Sequence, residues 1–402
     1  MLKAYHYRLY PTQTQEVLLN KHFGCVRFVY NWALETKNKA YVEQKKSLSC
    51  MELITRLPEL KKENEWLGEI NSQALQMSIR NLDNAFTNFF RRVKDKAKEV
   101  GFPKFKTRKN RQSFQCPQKV KVDFENNHIS LLKVPNIKAK LSRTFVGKIK
   151  TVTISKTKSN RFFASILVDD GIEQPKKCMI KESTAVGVDL GLKDFAILST
   201  GEKVPNQQFN KKERERIATL QRKMAKQKFI NGKHTKNREK NRIKLARLFE
   251  RIENRRDDFL HKLSTRLVRE NQTICLEDLA VKNMQKNHKL AGSIASVAWS
   301  KFVSFVEYKC NWYGKNLIKI GRFEPSSRIC SKCGSYNSEL TLKDREWTCI
   351  DCCTKHDRDF NAAKNIKTFA LTKQNVLGNI GLDKPEFTLG EIEPLTTASG
   401  SR

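Results

Sequence analysis

The sequence predicts an α/β multidomain protein, and three observations carry that reading. From residue 185 onward, short apolar strands alternate with long helical stretches. Between residues 119 and 168, runs rich in Val, Ile, Phe and Thr read as strands of a small β-barrel. Two Cys-x-x-Cys pairs, Cys330/Cys333 and Cys349/Cys352, mark a separate metal-bearing segment. At 402 residues the chain is long enough for two or three domains of about 150 residues.

Residues 3–10 alternate and are rich in aromatics, as a strand would be, and Pro11 ends them. Thr12 or Thr14 then caps a helix through Val17, Leu18, Phe28, Trp32 and Leu34. Leu75, Ile79, Leu82, Phe86 and Phe89 recur at helical spacing and predict a second helix starting at Asn71 or Ser72. Its far end turns basic with Arg91, Arg92 and Lys94. From Phe102 to Phe114 rings and cations interleave: Phe102, Phe105 and Phe114 among Lys104, Lys106, Arg108, Lys109 and Arg111. Strand-like runs follow at 119–123, 128–134, 148–154 and 161–168. The helical module 12–117 thus reads as an insertion into a barrel made of residues 1–11 and 118–181.

Ala185–Gly191 and Phe195–Ser199 read as two strands joined by a tight turn. Residues 211–270 form a basic helical hairpin, broken at Asn231-Gly232, whose second arm carries Leu245, Phe249, Ile252, Phe259, Leu263 and Leu267. A buried strand at 273–277, a helix at 297–313, a strand at 317–320 and a helix at 361–370 complete an α/β domain of residues 182–329 and 354–370. The two cysteine pairs occupy 330–353, and 371–402 reads as a flexible tail.

Composition narrows the partners. Lys+Arg number 78 against 42 Asp+Glu, a formal charge of +36 with a pI near 9.9. Such a chain repels itself unless a polyanion neutralises it, which points to nucleic acid. No stretch approaches the ~20 apolar residues that span a bilayer, and mean hydropathy is −0.61, so no membrane role is expected. The amino end carries no signal-peptide pattern, and the expected location is the cytoplasm. In that reducing compartment the five cysteines between Cys330 and Cys353 read as metal ligands rather than disulfides. Cys330, Cys333, Cys349 and Cys352 make a four-thiolate shell for structural Zn²⁺, with no position open to substrate. Cys353 is a fifth thiol, placed where zinc ribbons usually carry Gly for a left-handed turn, and it competes with Cys352 as ligand.

Three acids sit at the ends of predicted elements: Asp189, Glu277 and Asp359. Each has an ordinary reading, as a turn residue, a strand-end acid and a helix N-cap respectively. Together, in so cationic a chain, they read as a site for Mg²⁺ or Mn²⁺, the ions that carboxylates select. Two such ions activate water and stabilise the leaving oxygen in phosphodiester hydrolysis.

Several stretches are familiar in order and content: Arg8-Leu-Tyr-Pro-Thr12, Phe23-Gly-Cys-Val-Arg-Phe-Val-Tyr-Asn-Trp32, Asn71-Ser-Gln-Ala-Leu75 and Phe102-Pro-Lys-Phe-Lys106. Gly187-Val-Asp-Leu-Gly191, Leu276-Glu-Asp-Leu279, Cys330-Ser-Lys-Cys-Gly334 and His356-Asp-Arg-Asp-Phe-Asn-Ala-Ala363 follow. Across nearly its whole length the chain resembles the TnpB family, RNA-guided nucleases encoded by IS200/IS605-type transposons and related to type V CRISPR effectors. The resemblance implies a RuvC-like nuclease domain of RNase H type, a wedge-type β-barrel and a helical recognition insertion. It places the active-site acids on Asp189, Glu277 and Asp359, with Asp278 and Asp357 as second choices. Cys353 in place of Gly is the clear departure from the family pattern, and the intact triad argues against nuclease-dead relatives.

The implied function is Mg²⁺- or Mn²⁺-dependent cleavage of double-stranded target DNA complementary to a guide RNA from the transposon end, beside a short flanking motif. Arg91, Arg92, Lys104, Lys106, Arg108, Lys109 and the 211–270 hairpin are the expected phosphate contacts, with Phe102 and Phe105 stacking or packing. Asn71, Gln73 and Gln76 are candidate readers of the flanking motif. Arg27, Tyr30 and Asn31 lie in a family-typical block with a binding or a structural role. Two other function classes remain open to the residues alone: a non-cleaving RNA-guided DNA-binding protein, and a transposase that joins strands through the same metals.

Overall fold

In a computed structural model of the chain, residues 1–96, 100–210, 213–227, 229–230, 233–322, 324–341 and 343–374 are described. The predicted break at Asn231-Gly232 and all but the first four residues of the predicted 371–402 tail lie outside them. The chain divides into two units, Met1–Glu173 with Lys226–Arg247, and Gln174–Ala225 with the residues from Leu248 on.

The first unit opens on β1 (Leu2–Tyr10). Thr12 then starts α1 (Gln13–Gln44) with a reciprocal cap: its hydroxyl accepts from the Gln15 amide at 3.3 Å, and the Gln15 side chain accepts from the Thr12 amide at 3.0 Å. Short helices α2 (Cys50–Thr55) and α3 (Leu57–Glu63) lead to α4 (Ser72–Lys94). The predicted apolar stripe of α4 is its buried face, with Leu75, Ile79, Leu82 and Phe86 inside. Six strands follow: β2 (Gln112–Cys116), β3 (Lys121–Asp123), β4 (His128–Leu131), β5 (Val134–Lys140), β6 (Lys148–Lys156) and β7 (Phe162–Asp169).

With β1 they form one antiparallel sheet, in the order β2-β6-β7-β1-β5-β4-β3. Among the described residues its edges β2 and β3 are not paired with each other, so the expected barrel is a seven-stranded sheet without a hydrogen-bonded seam. The expected run 128–134 splits into β4 and β5 because the chain turns at Lys133, which takes a positive φ of 73°. Tyr7, Leu9, Ile137, Ile154, Phe162 and Ile166 line the inner face and share one core with Phe23 of α1 and Leu75 of α4.

The second unit is built on β8 (Ala185–Leu190), β9 (Asp194–Leu198), β10 (Lys203–Pro205), β13 (Thr273–Glu277) and β14 (Asn316–Ile320). Between them the predicted hairpin is α5 (Arg214–Lys226) and α6 (Lys236–Glu270), flanking the paired residues β11 (Phe229–Ile230) and β12 (Lys233–His234). On the second arm Phe249 is exposed, whereas Ile252, Leu263 and Leu267 are buried as expected. Helices α7 (Val281–Met284), α8 (His288–Val297) and α9 (Trp299–Trp312) precede β14; a left-handed Ala298 separates α8 from α9. Two three-residue strands, β15 (Glu346–Thr348) and β16 (Lys355–Asp357), lead into α10 (Arg358–Lys373). The expected helix at 361–370 is longer at both ends.

The sheet order is β10-β9-β8-β13-β14; β8 pairs antiparallel with β9 and parallel with β13, and β13 pairs parallel with β14. Side chains that alternate along β13 separate two cores. Ile274 and Leu276 pack with Leu263 and Leu267 of α6 and Phe302 of α9, while Cys275 faces Ile366 and Ala370 of α10. No helix among the described residues is long and apolar enough to cross a membrane.

α10 lies directly on β8. A Cβ on Gly187 would sit 2.0 Å from the Ala363 carbonyl oxygen and 2.8 Å from the Lys367 amide nitrogen, so this approach needs glycine. Gly187→Ala is expected to lower stability by about 1–3 kcal/mol or more, because backbone rather than a flexible side chain must yield. A denaturant midpoint that matches the parent would contradict that packing.

Candidate active site and metal centre

One residue past the paired Val188 and Leu276 on parallel β8 and β13 come Asp189 and Glu277. Both are two residues on from a position that faces α10, Gly187 on β8 and Cys275 on β13, so alternation aims both acids at the α10 side of the sheet. There α10 begins, and Asp359 is its second residue. The N-cap is Asp357, not Asp359: its carboxylate accepts from the amides of Asp359 at 3.1 Å and Phe360 at 3.0 Å, and from Lys203 Nζ at 2.5 Å. Asp278 is exposed and pairs with Arg322 at 2.9 Å, turned away from Glu277 as an extended strand requires.

The electrostatics fit a shared site. Burial, then repulsion from Glu277 and Asp359, pushes the Asp189 carboxyl up to about 8, against a partial offset from Arg358. Burial also raises Glu277, with a contribution from Glu324; the Ser326 hydroxyl, donating to Oε1 at 2.6 Å, opposes this. Asp359 is held by Arg358 at 3.0 Å and Arg345 at 3.2 Å. Asp189 thus lies within the fields of both Glu277 and Asp359, and carboxylate oxygens are the donors that hard divalent cations take; among the described residues the ligand atoms already gathered closely enough to share one ion are the four thiols. Arg345, Arg358, Ser326 and the buried Asn361 and Asn365 around them escaped the sequence reading; a pair of asparagines one turn apart on the inner side of a helix was the available signal.

The four predicted thiols converge, with their sulfurs all within 4.8 Å of one another. Cys330 and Cys352 approach at 3.6 Å, Cys333 and Cys349 at 3.5 Å. The two knuckles are built alike: the Cys330 amide donates to Ser335 O at 2.8 Å, the Cys349 amide to Thr354 O at 3.0 Å. After each second cysteine the backbone turns left-handed, at Gly334 (φ 83°) and at Cys353 (φ 50°). Cys353 is exposed and stands outside the cluster, so it does not compete with Cys352. His356 Nε2 lies 3.0 Å from Cys330 Sγ, and its ring packs on Trp347.

In the first unit, Asn31 clasps the backbone of residue 106 at both ends, donating to its carbonyl at 3.0 Å and accepting from its amide at 2.8 Å. Lys106 Nζ sits 3.7 Å above the buried Tyr30 ring, and Arg27 donates to Gln112 at 3.1 Å. These residues hold the basic loop in place. Phe102 packs edge-on against Phe86 and Phe89, and both Phe102 and Phe105 stay about half exposed (47% and 53%). Arg91, Arg92, Lys94, Lys104, Arg108 and Lys109 are exposed. Asn71 is buried: its oxygen caps α4 by accepting from the Gln73 amide at 2.9 Å, and its amide lies toward Cys116. Gln73 and Gln76 are half-buried, with Gln73 donating to Gln118.

Residues 171–288 match the family model of the IS605 OrfB proteins, described as "Probable transposase", and residues 299–366 match the Cas12f1-like TNB domain. A Streptomyces pristinaespiralis protein named "Putative RNA-guided DNA endonuclease" is 41% identical over 369 residues, covering 90% of this chain and 88% of its own. The chain belongs to the TnpB family. InsQ of Escherichia coli K12, similarly described, shares 30% identity over 91% of both TnpB-family chains. In fold, the chain resembles Cas12f1 in a complex with sgRNA and target DNA (TM-score 0.54, 13% identity, 91% of this chain and 98% of that one). Residues 1–46 match a model named as a helix-turn-helix domain, yet they fold as one strand and one long helix.

Two outcomes follow for this TnpB-family chain. The folded state holds the Asp189 proton well above the ordinary carboxylate range, so raising the pH from about 4 through about 8 strips that proton at the expense of the fold. Without divalent cation, thermal stability should fall over this window, and less steeply in Asp189→Asn. Cys353→Gly should stabilise the thiol-bearing segment by about 1 kcal/mol by relieving a left-handed side chain; slower metal loss to a chelator is the measurement.

Proposed function

We propose that this chain is an RNA-guided, divalent-metal-dependent DNA endonuclease of a transposon. It cuts double-stranded DNA complementary to its guide RNA, next to a short flanking motif. The observation that carries the reading is the meeting of Asp189, Glu277 and Asp359, from two adjacent parallel strands and one helix start, in a chain of charge +36. A nucleic-acid backbone is drawn to the cations, and the acids are reserved for metal. The family's other members described as RNA-guided DNA endonucleases support the same activity.

In this reading Asp189, Glu277 and Asp359 hold Mg²⁺ or Mn²⁺ in a RuvC-like domain. Ions of this kind, if held there, would supply activation of water and stabilisation of the leaving oxygen of the phosphodiester. Asp189 would have to give up its proton to hold a metal, and ion pairs with Arg345 at 3.2 Å and Arg358 at 3.0 Å orient Asp359. Cys330, Cys333, Cys349 and Cys352 hold a structural Zn²⁺. The antiparallel sheet acts as the wedge-type domain and the α1–α4 module as its recognition insertion. The loop clasped by Asn31 offers Lys104, Phe105, Arg108 and Lys109 to the phosphate backbone. Gln73 and Gln76 supply amides toward the flanking motif.

The test is co-expression with the DNA that flanks the gene, sequencing of the RNA that co-purifies, and a challenge with plasmids carrying its terminal segment beside a randomised flank. Cuts should follow the RNA, require Mg²⁺ and leave simple breaks. Alanine at Asp189, Glu277 or Asp359 should abolish cutting and leave RNA binding intact. Cleavage at the parent rate by Asp189→Ala would overturn the site, and joined strands would point to a transposase.

A further inference from the structure

Glu277 has no ion-pair partner among the described residues; the donor on its carboxylate is Ser326, through a 2.6 Å bond to Oε1. Ser326 is itself held tightly. It is 6% exposed, and its amide donates back to Glu324 O at 2.8 Å inside a turn in which Arg328 and Ile329 donate to Pro325 O. Its carbonyl accepts from Asn365 Nδ2 at 2.7 Å, and the same amide group reaches Ile329 O at 2.6 Å. One turn earlier on α10, Asn361 donates to Ile329 O at 2.7 Å and accepts from the Ser331 amide at 2.9 Å. Asn361 and Asn365 are 1% and 3% exposed. Two buried asparagines therefore clamp the backbone of residues 326–331, a segment with Ser326 near one end and the thiol ligand Cys330 near the other.

A hydroxyl that only needed a partner would be served by any carbonyl of that turn. Here it reaches an acid on a different strand, and its own backbone is fixed by the helix that carries Asp359. We infer that Ser326 is a positioning residue for Glu277, and that the Asn361/Asn365 clamp sets its place relative to Asp359. This rests on the nuclease reading above. Ser326 would act through Oε1 of Glu277, restraining the rotation of the carboxylate plane without itself serving as a ligand. Partners of metal ligands in this position are worth about 10–100-fold in metal affinity.

The experiment measures Mn²⁺ binding to the full chain by electron paramagnetic resonance, alongside the Mg²⁺ dependence of guided cleavage. Ser326→Ala should raise the Mn²⁺ dissociation constant and the half-saturating Mg²⁺ by about tenfold or more. The cleavage rate should recover substantially at saturating Mg²⁺, with zinc content and RNA binding unchanged. Ser326→Thr keeps the hydroxyl and should restore most of the affinity, and Asn365→Ala should weaken it in the same direction from a site that touches no ligand. If Ser326→Ala and Asn365→Ala both bind Mn²⁺ as the parent does while Glu277→Gln binds it weakly, the inference fails alone. Parent-like Mn²⁺ binding by Glu277→Gln would instead bring down the metal-site reading beneath it. A lower maximal rate at unchanged half-saturating Mg²⁺ would reduce Ser326 to a packing role.

Discussion

The backbone contact between α10 and β8 at Gly187 governs the second unit. Because nothing but hydrogen stands between strand and helix there, the start of α10 reaches the level of Asp189, and its third acid arrives from a part of the chain about 170 residues downstream. Parallel pairing of β8 with β13 supplies the second acid at the same height. A bulkier residue at 187 would move a helix, and with it the geometry of a site that no local sequence feature defines.

That convergence opposes folding. Burial and the charges of Glu277 and Asp359 push the Asp189 carboxyl up, and burial with Glu324 pushes Glu277 up, so the ionised forms of these two acids are held against the preference of the isolated fold. The protein limits the cost with local donors rather than with buried lysines: Arg345 and Arg358 on Asp359, Lys203 on the capping Asp357, Ser326 on Glu277. Sites whose electrostatics disfavour the empty state are poised for a cation, and the stability lost there is recovered on binding.

Much of this was legible in the sequence where a local rule dominates. Thr12 followed by Gln15 is a capping box, the Leu75–Phe86 stripe is a buried helix face, and the cysteine spacing is a two-knuckle shell. The three acids were legible as strand or helix ends before their proximity was known. What escaped is set by tertiary context. β2 begins within a run of cations and becomes a strand because Phe114 and Cys116 fill the core beside α1 and α4. β5 extends past the expected run 128–134 and contains Pro135 and Asn136, yet Val134, Ile137 and Ala139 are buried in the same core. The helix cap fell on Asp357 because two acids two residues apart satisfy the same rule, and only the amides they meet tell them apart. Asn71, read both as a candidate base reader and as one of two possible starts of α4, is the buried cap of that helix.

The Asn31 clasp grips residue 106 by its amide and carbonyl alone. Its geometry is therefore indifferent to which side chain stands there, as a strand partner's would be. The shape of the 102–111 loop and its chemistry are inherited separately: substitutions among Lys104, Phe105, Arg108 and Lys109 alter what the loop touches without altering how it is held. The exposed side chains of that loop can therefore change one residue at a time, with the scaffold beneath it left as it was.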